Sequence, residues 1–268
     1  MYPRDNRGAM ARLLSESTAL LEIGSSLALR RKLVRLVPGG DGHPVMLIPG
    51  FTASDRAMGG LRRFLRDCGY APRGWGQGRN IGVNKACLDA VCRRVADLES
   101  EHGAPVSLLG WSGGGMYARA AAAVMPESVR AVITMGTPFK MTREHLDYMP
   151  QGILQLHERL SPEDENAPEE FDSDLFCDSP PVPSTSLYSE RDALAPWPFC
   201  LDFADARSEN VHVPGSHAGM TFNPLMYYVI ADRLAQDPQT WQPFTLNALR
   251  RLAFRHGSAL DFYYEPAV

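Results

Sequence analysis

From residue 45 onward, short apolar runs alternate with stretches whose apolar positions recur at helical spacing. Val45-Met46-Leu47-Ile48 is a continuous apolar run stopped by Pro49-Gly50, the pattern of a strand buried on both faces. Residues 56–66 then read as a helix and 70–75 as a second strand. Over 84–99, Leu88, Val91, Cys92, Val95 and Leu98 share one helical face. A strand is predicted at 106–109, an alanine-rich helix at 117–125 and a further strand at 129–135. Strands at 184–188 and 210–213 follow, and a helix over 222–236 closes the series. Strands separated by helices imply an α/β fold: a predominantly parallel sheet of about six strands with helices on both faces.

Three segments fall outside that alternation, although 1–268 reads as a single domain. The first, 1–43, is a helical N-terminal segment. Its leucines at 13, 14, 20, 21, 33 and 36 lie loosely at helical spacing, with a break expected at Gly24-Ser25-Ser26. Its basic cluster, Arg30-Arg31-Lys32 and Arg35, reads as a solvated face on a helix packed by those leucines. The second, 139–183, is too long for a simple crossover. It offers one helix over 143–160, an acidic run around Glu163-Asp164-Glu165, and a Pro-rich end, and it reads as a small helical cap inserted at the carboxyl end of the sheet. The third, 237–268, is a C-terminal extension.

Composition narrows the function classes. With 44% hydrophobic and 22% charged residues the chain is of ordinary globular make-up. Its 27 basic against 31 acidic residues provide no basic excess to hold a nucleic-acid backbone. The five cysteines are scattered without a CxxC pair, which argues against a disulfide framework or zinc site and for a reducing compartment. The apolar stretch 19–29 is interrupted by Glu22 and Ser25-Ser26 and runs into the basic cluster, so it suits neither a signal peptide nor a membrane span. The expectation is a cytoplasmic protein without stable membrane insertion.

The chemistry centres on Gly110-Trp111-Ser112-Gly113-Gly114, a G-x-S-x-G pattern that follows a predicted strand and opens a predicted helix. Glycines flanking the serine permit a sharp turn that lifts its hydroxyl out at the carboxyl end of the sheet, where the helix N-terminus favours developing negative charge. A serine nucleophile needs a base, and the base needs an orienting acid. His217, in Pro214-Gly215-Ser216-His217-Ala218-Gly219, follows the last short strand. His212 falls inside that strand, His43 before the first strand, and His102, His145, His157 and His256 in or beside helices. Asp192 is the first aspartate beyond the fifth strand, with Glu190 as its competitor; Asp202 and Asp205 read as helical or surface residues. The order Ser112, Asp192, His217 is that of a Ser–acid–His hydrolase.

Acyl transfer also needs oxyanion donors. The backbone N–H of Gly113 is one; the other comes from the loop after the first strand, from Phe51 or, as second choice, Thr52. Ser54 or Asp55 could cap the helix that follows. Thr52, Trp111, Trp197 and Met220 flank the motifs as candidate pocket residues, as do Phe51 and Phe199. Leu146, Met149, Ile153, Leu154 and Leu160 offer an apolar face on the cap helix.

With these pieces in view, the chain resembles the serine α/β-hydrolases of the bacterial esterase/lipase type. The resemblance rests on Leu47-Ile48-Pro49-Gly50-Phe51, Gly110-Trp111-Ser112-Gly113-Gly114, Tyr188-Ser189-Glu190-Arg191-Asp192 and Ser216-His217-Ala218-Gly219, and spans roughly residues 44–236. It departs from the family in having Pro49 where many members place a histidine, and in lacking two N-terminal antiparallel strands. What the resemblance implies is carboxylic-ester hydrolysis through an acyl-serine, with no metal or organic cofactor. The expected partner is a small ester with an apolar acyl chain. The same triad could serve an acyltransferase or thioesterase, and the scaffold could also be a non-catalytic binding protein. A haloalkane dehalogenase is excluded, since that chemistry needs a carboxylate where Ser112 stands.

Overall fold

The computed structural model describes residues 16–141, 145, 148–160, 174–203 and 205–257. Seven strands form one sheet in the order β2-β1-β3-β4-β5-β6-β7. They are β1 (Pro44–Ile48), β2 (Ala71–Gly74), β3 (Val106–Trp111), β4 (Val129–Met135), β5 (Ser184–Tyr188), β6 (Ser208–His212) and β7 (Arg255–His256). The first six run parallel, as the alternation of strands and helices implied. The seventh, two residues from the C-terminal extension, pairs antiparallel with Val211 and His212.

Alternation along each strand assigns the helices to faces. Val45, Leu47, Leu109 and Ile133 point to one side, where they pack with α1 (Ala19–Leu36), α2 (Gly59–Asp67) and α7 (Pro224–Leu234). Met46, Ile48, Leu108 and Val132 point to the other, against α3 (Lys85–His102) and α4 (Gly113–Val124). Between β4 and β5 lie α5 (Gln151–Leu160) and the short α6 (Asp174–Cys177). The chain leaves β1 for β2 on one side and reaches β3 on the other, so the strand order reverses between β1 and β3. Their carboxyl ends flank the crevice where α/β sheets bind ligands.

Several expectations need correction. The helix α1 runs unbroken through Gly24-Ser25-Ser26. The Ser25 hydroxyl donates to the Glu22 carbonyl inside the helix (2.9 Å), and Ser26 is buried against α7. Packing of Leu33, Val34 and Val37 on the core outweighs the ~1 kcal/mol that a mid-helix glycine costs. The leucines do not all pack inward: Leu20, Leu21, Leu27, Leu29 and Leu36 are exposed, Leu20 to 77%. Neither Ser54 nor Asp55 caps α2. The Asp55 carboxylate instead accepts from the backbone N–H groups of Trp75 (3.0 Å) and Gly76 (3.2 Å), bracing the loop after β2.

Asp202 is no surface residue. It is 1% exposed and bonded to Arg119 Nη1 at 2.8 Å, because the guanidinium buried on α4 needs a counter-charge. No cysteine forms a disulfide. Among the described residues, no helix is long and apolar enough to cross a membrane. Leu13, Leu14, Leu146 and the acidic run 163–170 lie outside the described residues.

Candidate active site

Ser112 follows β3 and caps the start of α4 with φ +53° and ψ −131°, a left-handed conformation rare outside glycine. Such strain costs about 1–3 kcal/mol and persists only where the surroundings over-determine it. Here the Ser112 N–H donates to the Met135 carbonyl at the end of β4 (2.8 Å), and the turn packs too closely for side chains beside it. A Cβ on Gly110 would stand 2.3 Å from Gly115 Cα, and one on Gly114 the same distance from the Ile48 carbonyl oxygen. The glycines are therefore what let β1, β3 and the first turn of α4 meet, leaving the Ser112 side chain to face the cavity above.

The loop after β1 forms the neighbouring wall. A Cβ on Gly50 would lie 2.9 Å from Ser112 Cβ, and one on Gly113 would lie 3.6 Å from the Phe51 backbone nitrogen. Thr52 also has positive φ, +64°. Its N–H donates to the Asn80 carbonyl (2.6 Å) and its own carbonyl accepts from Arg79 Nη1 (2.7 Å). The Thr52 amide is thus already engaged by another loop.

Asn80 was not singled out from the sequence. It is 2% exposed, donates from Nδ2 to the Pro49 carbonyl (2.9 Å) and accepts at Oδ1 from the Gly82 N–H (3.1 Å). With its own N–H donating to the Ala53 carbonyl (2.8 Å), it holds the turn after β1 at both Pro49 and Ala53. Its place beside glycines in the run 76–82 carries no signal of that role.

Asp192 and His217 come together although 25 residues separate them. Asp192 Oδ1 accepts from the N–H groups of Leu194 (2.8 Å) and Ala195 (2.7 Å), and Oδ2 lies 2.6 Å from His217 Nδ1. The Ser189 hydroxyl ties the two loops by donating to the Gly215 carbonyl (2.6 Å). Both side chains are almost fully buried. Burial alone would push the imidazole pKa down; the Asp192 charge and hydrogen bond, with a smaller contribution from Glu16, outweigh it and hold His217 above its ordinary value. Trp111 donates its indole N–H to the His217 carbonyl (3.2 Å), placing the loop over the serine turn. Among the described residues no hydrogen bond joins Ser112 to His217, but both line one cavity of about 850 Å³, large enough for a small organic molecule.

The other candidates lie elsewhere. Glu190 forms an exposed ion pair with Arg255. His212 stays in β6 with its ring edge-on to Tyr188 (5.4 Å between centroids). His43 bonds to the exposed Asp41 and to the buried Ser107 hydroxyl (2.9 Å), an Asp–His–Ser set at the amino ends of β1 and β3, opposite Ser112. Of the candidate pocket residues, Thr52 and Trp111 line the cavity and Trp197 and Met220 do not. Trp197 turns back to stack on Tyr188 (5.7 Å), and Met220 is fully buried in the core. Proximity in sequence to the motifs does not decide which side of a loop a side chain faces. The upper wall includes Met149, Ile153, Leu154 and Leu156 from α5 and the residues just before it.

No curated protein matches the chain. Solved structures resemble it at low identity. Aspergillus fumigatus lipase B matches with 19% identity over 74% of this chain and 53% of its own, with TM-score 0.49. The chain thus spans about half that lipase's length. Paleococcus ferrophilus monoacylglycerol lipase matches with 14% identity over 73% and 96%, TM-score 0.49. Naproxen esterase (carboxylesterase NP) from Bacillus subtilis matches with 15% identity over 75% and 86%, TM-score 0.45. A family model of the alpha/beta hydrolase fold matches residues 44–195, more than half of the chain and the stretch holding β1 to β5, the Ser112 turn and Asp192. The chain belongs to the α/β-hydrolase family.

Proposed function

We propose that the protein is a serine hydrolase that cleaves carboxylic esters bearing neutral, apolar acyl groups. The observation that carries this reading is the shared cavity. It joins Ser112, held at positive φ on the turn between β3 and α4, to His217, whose Nδ1 faces the buried carboxylate of Asp192 at 2.6 Å.

Ser112 Oγ attacks the ester carbonyl while His217 Nε2 takes its proton, and Asp192 holds the ring in the tautomer that leaves Nε2 free to accept. The N–H groups of Gly113 and Phe51 receive the oxyanion. Thr52 is the weaker candidate because its N–H is already bonded to Asn80. The protonated His217 then donates to the departing alkoxide. Water, activated by the same imidazole, releases the acid from Ser112.

The cap side of the cavity supports the substrate class. Met149, Ile153, Leu154 and Leu156 on that wall, with Met116 and Val83 below, offer no partner for a sugar or phosphate, whose burial there would go uncompensated.

Labelling of the purified protein with a fluorophosphonate, alongside a chromogenic ester series of increasing acyl length, tests the proposal. Wild type is expected to label and turn over neutral esters, and Ser112→Ala to lose labelling and about 10⁴-fold or more in kcat. A Ser112→Ala protein keeping more than about a tenth of wild-type kcat refutes the mechanism. The base must be neutral to accept a proton, so kcat/KM rises with pH. Because His217 titrates above its ordinary value, the midpoint of that rise falls above pH 6.5.

A further inference from the structure

The geometry points to Glu16 and Glu22, from the segment ahead of the sheet, as positioning residues that hold the His217 loop by its own backbone amides. The inference rests on the role given to His217 above. Glu22 Oε1 accepts from the Ser216 N–H (3.0 Å) and Oε2 from the Ser216 hydroxyl (2.8 Å). The Ser216 oxygen in turn accepts from the Gly219 N–H (3.1 Å). Glu16 Oε1 accepts from the His217 N–H (2.9 Å) and Oε2 from the Ala218 N–H (3.0 Å). Every amide from 216 to 219 is therefore satisfied, directly or through one hydroxyl, by a carboxylate that lies some 200 residues earlier in the chain.

These four amides lie just ahead of the 3₁₀ turn Met220–Phe222, and each bonds to a side-chain oxygen, not to a backbone carbonyl. Two carboxylates are the matching acceptors. The loop is shaped to admit them: a Cβ on Gly219 would fall 1.2 Å from Glu22 Oε2, and one on Gly215 2.9 Å from Glu22 Oε1. Ser216 is fully buried, so water does not readily replace a lost carboxylate there.

Glu16 does one thing more. Its Oε1 also accepts from the Ala193 N–H (3.3 Å), next to Asp192. One carboxylate thus bridges the acid loop and the base loop, fixing the separation at which Asp192 meets His217.

The charged groups facing the imidazole are Asp192, from the loop after β5, and Glu16. Glu22 faces Ser216, and Trp111 packs an uncharged ring against His217 from β3. Glu16 therefore acts on His217 both through its backbone and through its charge, whereas Glu22 acts through the backbone alone. A residue that served stability only would move neither the pH profile nor kcat.

The test uses the full-length protein with Glu16→Gln, Glu22→Gln and the two alanine variants. Glutamine preserves shape, but each carboxylate uses both oxygens as acceptors, and an amide turns an NH₂ toward a donor. Each glutamine variant is expected to lose about tenfold in kcat with KM within about twofold, and each alanine variant about a hundredfold. The His217 ring, titrated by NMR, should titrate at lower pH in Glu16→Gln than in wild type and be nearly unmoved in Glu22→Gln. If an alanine variant does not fold, the glutamine pair decides. Glutamine variants with wild-type kcat and an unmoved His217 titration overturn the inference, as does a set whose only change is a lower unfolding midpoint. A wild-type protein that neither labels at Ser112 nor hydrolyses esters would sink the proposed function instead, and the NMR titration would still read whether Glu16 acts on the ring.

Discussion

Replacing Asp192 by asparagine isolates what the carboxylate does, because the structure dictates how the new amide must sit. Asp192 Oδ1 is held by two N–H donors, Leu194 at 2.8 Å and Ala195 at 2.7 Å, and Oδ2 by His217 Nδ1 at 2.6 Å. The asparagine oxygen stays with the two donors and its NH₂ turns to the imidazole. Nδ1 must then accept, which moves the ring proton to Nε2, the nitrogen that accepts from Ser112 in the proposed mechanism. Restoring the useful tautomer means flipping the amide and stranding two buried N–H groups, each costing about 1–3 kcal/mol. A total of about 2–6 kcal/mol corresponds to a rate loss between about 30-fold and 10⁴-fold. Since Asp192 is only 1% exposed, water gives little relief, and the loss is expected in the upper part of that range, about 10³–10⁴ in kcat. The assay is steady-state hydrolysis of a chromogenic ester by Asp192→Asn and Asp192→Ala, with circular dichroism to confirm folding. Alanine removes the orienting group without enforcing the wrong tautomer, so asparagine is expected to be no more active than alanine. An asparagine variant that retains more than about a tenth of wild-type kcat would refute the assignment of Asp192 as the orienting acid.

Two further predictions concern stability. Asp202→Ala leaves the Arg119 guanidinium, 0% exposed, without its counter-charge and is expected to cost about 3–5 kcal/mol in urea unfolding, with Arg119→Met/Asp202→Leu recovering most of it; a loss below about 1 kcal/mol would contradict this. For His212, burial and then the nearby Arg255 push the pKa down to about 4, so the folded protein prefers the neutral ring. The stability this contributes is fully present above the unfolded value near 6.5 and is lost as pH falls toward 4. After solvent screening the effect is about 1–2 kcal/mol, and His212→Gln should flatten the stability–pH curve over that interval; an unchanged curve would count against it.

Much of this protein is legible from the chain because it is encoded locally. The run Val45–Ile48 reads as a strand because every residue is apolar, and all are buried in a parallel pairing. The glycines around Ser112 signal a turn that only small residues can make, and the turn is there, at positive φ. The sequence order of serine, acid and base follows the order in which β3, β5 and β6 end, so position relative to those strands was enough to nominate Ser112, Asp192 and His217. The seventh strand escaped notice because two residues carry no periodicity.

What only the tertiary structure decided are matters of which distant group arrives beside which. Asp202 looks like a surface aspartate until Arg119 is seen buried next to it, since a charge is hidden only where a partner meets it. Trp197 and Met220 are apolar and flank the motifs, yet Trp197 turns back onto Tyr188 and Met220 into the core. Asn80 is an unremarkable polar residue in a glycine-rich stretch, and its importance comes from a turn near residue 50 that it happens to meet. Glu16 and Glu22 precede every strand, and nothing in their local sequence marks a role. They matter because 194 to 202 residues later the chain presents them with a row of unpaired amides. Local sequence sets backbone conformation through sterics and periodicity. Satisfying a buried donor, acceptor or charge requires long-range closure of the fold, and no neighbouring residue encodes that.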